Sequence, residues 1–106
     1  MQTGIQDGNE PMHDAIVIWD LDDDPDGNVV HIAEHDLTKD DVLDALNDPN
    51  MKTDVSRSSG HAISFGETSD GRYIAVVWEL VEEDPLTIYP RTAYEVPRPR
   101  SRSKRR

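Results

Sequence analysis

Cysteine is missing from all 106 residues, which excludes disulfides, thiolate nucleophiles and zinc-thiolate sites and fits a reducing compartment. Also missing is any apolar run near the roughly 20 residues that cross a bilayer. Met1 to Pro11 has neither a basic n-region nor an apolar h-region of the kind that opens a secretory signal. The expectation is a soluble, cytoplasmic protein. The length allows one modest core and leaves no room for a second catalytic domain.

Basic side chains are scarce over most of the chain. Residues 1–90 carry 4 of them (Lys39, Lys52, Arg57, Arg72) against 21 acidic ones, a charge of −17. Residues 91–106 reverse the sign, with 7 basic groups against Glu95 alone, +6. The body repels nucleic acid and the end of the chain attracts it. An acidic excess rich in Asp and poor in Lys also suits a salty cytoplasm, where a short Debye length mutes self-repulsion.

Residues 1–13 mix Gly, Gln, Asn and Pro without periodicity and read as a flexible leader. Residues 14–96 read as a single α+β domain, and residues 97–106, made of Pro, Arg, Ser and Lys, as a disordered basic tail with nothing to bury. The tail is expected either to tether nucleic acid or to fold back on the acidic body and screen it. Within the domain, Ala15 to Trp19 is a short β-branched run that predicts a buried strand. Asp20 to Asn28 is turn-rich. Asn28 is placed to cap a short helix through His35, and Thr38 to cap a second, with Val42, Leu43 and Leu46 at helical spacing and Asp41 completing a weak capping box. Asp48-Pro49-Asn50 stops that helix.

The remainder reads as an antiparallel meander, with strands near Met51 to Val55, Ala62 to Phe65, Arg72 to Leu80 and Leu86 to Tyr89, closed by Arg91 to Val96. Ser69-Asp70-Gly71 suits a hairpin turn, because Gly tolerates positive φ. In Tyr73 to Leu80 both faces are mostly apolar, which predicts a central strand.

Two motifs point toward metals. His31-Ile32-Ala33-Glu34-His35 matches the His-x-x-Glu-His zinc pattern, but a helix of two turns in a chain this small lacks the third ligand and the cleft that the chemistry needs. Asp22 to Gly27 copies the first half of an EF-hand loop. Its second half fails, since Ala33 stands where the bidentate Glu belongs and a strand precedes the loop. No metal or other cofactor is expected.

A strand, two short helices and an antiparallel meander, with Trp19-Asp20 after the first strand, His35 at the end of the first helix, Asp48-Pro49 after the second and Phe65-Gly66-Glu67-Thr68-Ser69-Asp70-Gly71-Arg72 at the hairpin, resemble the BrnT family of toxins. Those are ribonucleases with a fold related to RelE-type toxins. Pro90-Arg91-Thr92-Ala93 is similar to the family's Ser-Ala-Arg-Lys-Ala segment, with Glu95 close to a family Glu. His31, Glu34 and Thr92 replace the family's Asn and two lysines, so two cations are missing from the expected RNA site.

The resemblance implies the toxin of a type II toxin–antitoxin pair, a small DNA-binding ribbon-helix-helix antitoxin as partner, and metal-independent RNA cleavage through 2′-hydroxyl attack. Arg72 and Arg91 are then the candidate phosphate clamps, since a guanidinium offers paired hydrogen bonds to phosphate oxygens. His35 is the candidate general acid or base, with Glu79 and Tyr89 in reserve. The rival expectation is a non-catalytic binding module of the same fold that has lost its nuclease site.

Overall fold

The computed structural model describes residues 12, 14–55 and 60–98. Seven elements follow in the order β1 (Ile16–Val17), α1 (Asn28–Ala33), α2 (Lys39–Leu46), β2 (Lys52–Val55), β3 (Ala62–Glu67), β4 (Tyr73–Glu83) and β5 (Leu86–Glu95). The strands form one sheet in the order β1-β5-β4-β3-β2. From β2 to β5 it is the expected antiparallel meander, with β4 at the centre. β1 joins the far side in parallel to β5, pairing Ile16 with Thr87 and Val17 with Ile88.

Alternation along β4 sorts the two faces. Ile74, Val76 and Trp78 turn toward the helices and join Ile32, Leu37, Val42, Ala45, Leu46, Ile88 and Ala93 in one apolar cluster. α1 lies on β5, and α2 on β3 and β4. Ser64, on this inner face, is buried and accepts the Trp78 indole N–H at 2.9 Å while meeting the Thr53 hydroxyl at 2.8 Å. Ser64, Thr53 and Trp78 therefore satisfy one another beneath the helices. Tyr73, Ala75, Val77 and Glu79 turn to the other face, which no described helix covers.

α2 begins as its sequence predicts. The Thr38 hydroxyl accepts the Asp41 N–H at 3.2 Å and the Asp41 carboxylate accepts the Thr38 N–H at 2.9 Å, a complete capping box. α1 differs. Gly27 holds the cap position, and Asn28 is the first helical residue. Its amide instead donates to the Ile18 carbonyl at 3.0 Å and the Pro90 carbonyl at 2.9 Å, and accepts the Asp20 N–H at 2.9 Å. The helix stops at Ala33, short of His35, and Asp36 takes a left-handed conformation (φ 63°) just beyond it. Aspartate is among the few residues that tolerate that region, so the chain turns there without a glycine.

Three strand expectations are revised. β1 is two residues at a sheet edge, and Ile16 is half exposed, because only Thr87 and Ile88 of β5 offer it partners. β4 runs on through Val81, Glu82 and Glu83, and β5 is continuous from Leu86 to Glu95, so the charged turn shrinks to Asp84-Pro85. Pro90 interrupts nothing, since it sits past the end of the β1 pairing and beside a bulge, where a missing N–H breaks no ladder bond. The 69–71 hairpin turn closes through Thr68 N–H to the Arg72 carbonyl at 2.8 Å and Gly71 N–H to the Thr68 carbonyl at 3.0 Å, with Gly71 at φ 89°. The leader expected over residues 1–13 lies outside the described residues apart from Met12, and so does the tail from residue 99 on. Among the described residues no helix is long and apolar enough to cross a membrane.

α2 presses closest to the sheet at Gly66, where an added Cβ would fall 2.2 Å from the Ala45 carbonyl oxygen. Backbone cannot yield as a side-chain tip can, so Gly66→Ala must displace the helix. We expect a loss of about 1–3 kcal/mol or more in urea unfolding, and an unchanged midpoint would show that the contact is looser than this packing requires.

Candidate active site

The outer face of the sheet brings three chemically active side chains together from three adjacent strands. Glu79 projects from β4. His61 precedes Ala62, the first residue of β3, which pairs with Trp78, and so falls beside Glu79; its Nε2 lies 2.9 Å from Glu79 Oε2. From β5, Arg91 Nη1 donates to the same oxygen at 2.9 Å. The side chains of His61, Glu79 and Arg91 remain 27 %, 38 % and 51 % exposed, so solvent and ligand can reach all three.

Arg91 arrives there through an irregularity. Val77 pairs with Thr92 and Trp78 with Pro90, which leaves Arg91 as the extra residue of a β-bulge. A bulge re-aims one side chain without ending the ladder, and here Pro90 stays buried in the core while Arg91 reaches outward. Arg91 also borders a groove of about 350 Å³ at the edge of β5, next to the start of α1, which Asp26, His31, Tyr89 and Thr92 line as well.

Tyr89 is the direct strand partner of Glu79. Its hydroxyl donates to Asp20 Oδ2 at 2.6 Å, and the same oxygen accepts the Asn28 N–H at 2.9 Å. The Tyr89 hydroxyl first, and the Asn28 N–H second, hold the Asp20 carboxyl below the usual carboxylate range. That hydrogen bond, followed by burial, pushes the Tyr89 phenol up. A phenol whose proton is held by a carboxylate is poorly placed to act as a base, so Tyr89 serves to brace the groove.

Of the residues singled out in the sequence, Glu79, Tyr89 and Arg91 are thus neighbours, and Arg72 and His35 stand apart from them. Arg72 rivets the hairpin turn to the helical layer: Nη1 donates to the Asp36 carbonyl and Nη2 to Asp41, both at 2.9 Å, and Nε to Asp70 at 3.2 Å. Asp70, which also accepts the Thr68 hydroxyl, raises the Arg72 pKa further. Arg72 precedes Glu79 by seven residues along the strand, roughly 23 Å at strand rise. The His35 ring meets Tyr94 edge-on, with centroids 6.1 Å apart.

His31 and His35 diverge, one to the groove and one to Tyr94, and in the acidic loop Asp24 accepts the Asp26 N–H while Asp22 pairs with Lys39. Among the described residues no three His, Asp or Glu side chains form a metal-holding group.

His61 is the site residue that motif reading passes over. A signal for it exists: counting outward from Asp70, the centre of the predicted turn, sets residue 61 opposite residue 79.

The Asp20–Tyr89 bond carries a pH signature. The folded pKa of Asp20 is lowered, so its contribution is present above the unfolded value near ~3.9 and lost as pH falls through the folded one; that of Tyr89 is raised, so its contribution is present below about 10 and lost as pH rises through the folded value. Burial raises Tyr73 in the same direction. Tyr89→Phe is therefore expected to remove a late-ionising phenol from the ultraviolet titration, and an unchanged late phase in that variant would refute the assignment.

No family model, no curated protein and no solved structure matches this chain.

Proposed function

We propose that this protein is a metal-independent endoribonuclease, the toxin of a toxin–antitoxin pair, with Glu79, His61 and Arg91 as its reacting groups. The observation that carries the proposal is the single carboxylate oxygen of Glu79 flanked at 2.9 Å by an imidazole and by a guanidinium on an open sheet face. RNA carries its own nucleophile, and its cleavage requires a base, an acid and a cation. Both hydrogen bonds fall on Oε2, which leaves Glu79 Oε1 to take the proton of a ribose 2′-hydroxyl.

The 2′-oxygen then bonds to the adjacent phosphorus, and the phosphorus–O5′ bond breaks. The His61 imidazolium gives its proton to the departing O5′, leaving a 2′,3′-cyclic phosphate and a free 5′-hydroxyl. Arg91 stabilises the charge that builds on the nonbridging oxygens, where a donor held in place ahead of reaction is worth most. In this scheme His61 takes the acid–base role that the sequence reading gave to His35, and Arg72 holds the hairpin turn to α2. The resemblance of the hairpin and of Pro90 to Ala93 to the BrnT family supports the toxin reading and its ribbon-helix-helix antitoxin partner.

A second reading, a binding module without catalysis, has one observation in its favour: Arg72 and Arg91 are both already engaged by carboxylates. The test is cleavage of single-stranded RNA in excess chelator, run beside growth of bacteria induced to make the protein alone. We expect cleavage to cyclic-phosphate ends and growth arrest. Glu79→Gln and His61→Ala should each slow cleavage by roughly 10²–10⁴-fold, and Arg91→Ala by roughly 10²–10³-fold. An inert wild type, soluble and folded, would support the binding module, and full activity in Glu79→Gln would end the assignment of that residue.

A further inference from the structure

The open face of the sheet holds more than the cluster at Glu79. Phe65 of β3 and Tyr73 of β4 stand on that face with nearly parallel rings, centroids 6.4 Å apart and planes 14° from each other. Both are partly exposed, and Ile63 and Val77, also partly exposed, extend the apolar surface between them and Glu79. The Arg98 guanidinium lies over the Tyr73 ring, 5.4 Å from its centroid. Its Nη2 donates to the Gly71 carbonyl at 2.9 Å, and the group lies 3.5 Å from the Glu67 carboxylate.

Charge separates this face from the rest of the molecule. Lys52 shares the face with its strand partner Phe65, so Lys52, Arg91 and Arg98 are gathered on or at the rim of one side of a strongly acidic protein. Asp54, Glu67, Glu79 and Glu82 are the carboxylates that the strands carry there, and Glu67 and Glu79 each lie against an arginine. Asp48, at the end of α2, acts on Tyr73 from the side, while most of the remaining acidic groups cluster on the helices and their connections, with Glu83, Asp84 and Glu95 at strand ends and the β4–β5 turn. Among the described residues, the aromatic face is thus the side that repels a polyanion least.

Resting on the ribonuclease reading above, we infer that Phe65 and Tyr73 form a base-stacking subsite for single-stranded RNA, with Arg98 and Lys52 meeting the flanking phosphates and the strand continuing along β4 to Glu79. Unpaired bases stack on exposed aromatic rings and on guanidinium planes whatever their identity, and a partly exposed aromatic pair with a guanidinium already seated on it supplies that surface. From Tyr73 to Glu79 is six residues, roughly 20 Å at strand rise, a span that a few extended nucleotides cover. The subsite anchors the chain on one side of the cut and leaves the sequence at the cut unread.

The test uses equilibrium binding, so that it stands apart from cleavage. A fluorescent 2′-O-methyl oligonucleotide, which has no free 2′-hydroxyl and cannot be cut by this route, is titrated at low salt against the wild-type chain, Phe65→Leu, Tyr73→Leu and Glu79→Gln. The leucines keep apolar volume and remove the flat ring, and urea midpoints verify folding. We expect each leucine variant to bind roughly five- to hundredfold more weakly, with Glu79→Gln binding at least as well as the wild type. Equal binding by wild type and folded leucine variants would overturn the subsite while leaving the nuclease reading intact. Absence of binding by the wild type would also overturn it, and if the wild type sediments as a dimer that Phe65→Leu converts to monomer, the face is a contact between copies. Ring-dependent binding by a wild type that never cleaves RNA would keep the subsite and reject the nuclease.

Discussion

The buried amide of Asn28 holds the two halves of the architecture together. β1 offers β5 only two paired residues, too few to fix a parallel edge strand through its ladder alone. Asn28 supplies the rest, because its side chain is bonded at once to the Ile18 carbonyl, the Asp20 N–H and the Pro90 carbonyl, while it opens α1. A buried amide with both ends satisfied is stable, and one deprived of a partner costs about 1–3 kcal/mol for each group left unmade. The same contacts set Asp20 under Tyr89 and place α1 beside the groove at Arg91. One polar residue thus joins the first strand, the first helix and the last strand, and frames the groove beside the proposed site.

Charge divides the molecule along its sheet. The helices and their connections carry most of the carboxylates, which keeps them in water and makes that side unattractive to other anions. Arg72 is drawn into this acidic side and fully used there, tying the hairpin turn to Asp41 and to the chain after α1. Arg91 and Arg98 are drawn to isolated carboxylates on the opposite face, where each is more than half exposed. Two arginines that look alike in the sequence therefore do different work. The difference follows from how many oxygen acceptors surround each: three groups for Arg72, and Glu79 alone among the described residues for Arg91.

Local rules read the elements well where one strong local signal acts. Thr38 with Asp41 marks the start of α2, Asp48-Pro49 its end, and Ser69-Asp70-Gly71 the hairpin, because capping geometry and positive φ are properties of a few consecutive residues. The readings that changed are those in which a distant partner decides. Asn28 looks like a cap and is a core tie, since Pro90 lies 62 residues away. Pro90 looks like a strand end and sits within a strand, since the neighbour that would need its N–H stops short.

The sequence by itself determined an α+β chain with its helices ahead of an antiparallel meander, a central apolar strand, and an acidic body with a basic end, because alternation, capping and charge are written in neighbouring residues. Glu79, Tyr89 and Arg91 became candidates through the family resemblance together with their residue types. Only the tertiary structure decided that β1 runs parallel to β5, that a bulge turns Arg91 toward Glu79, and that the histidine beside them is His61, with His35 left against Tyr94. Those outcomes depend on strand register, and a shift of one residue would send each of these side chains to the opposite face of the sheet.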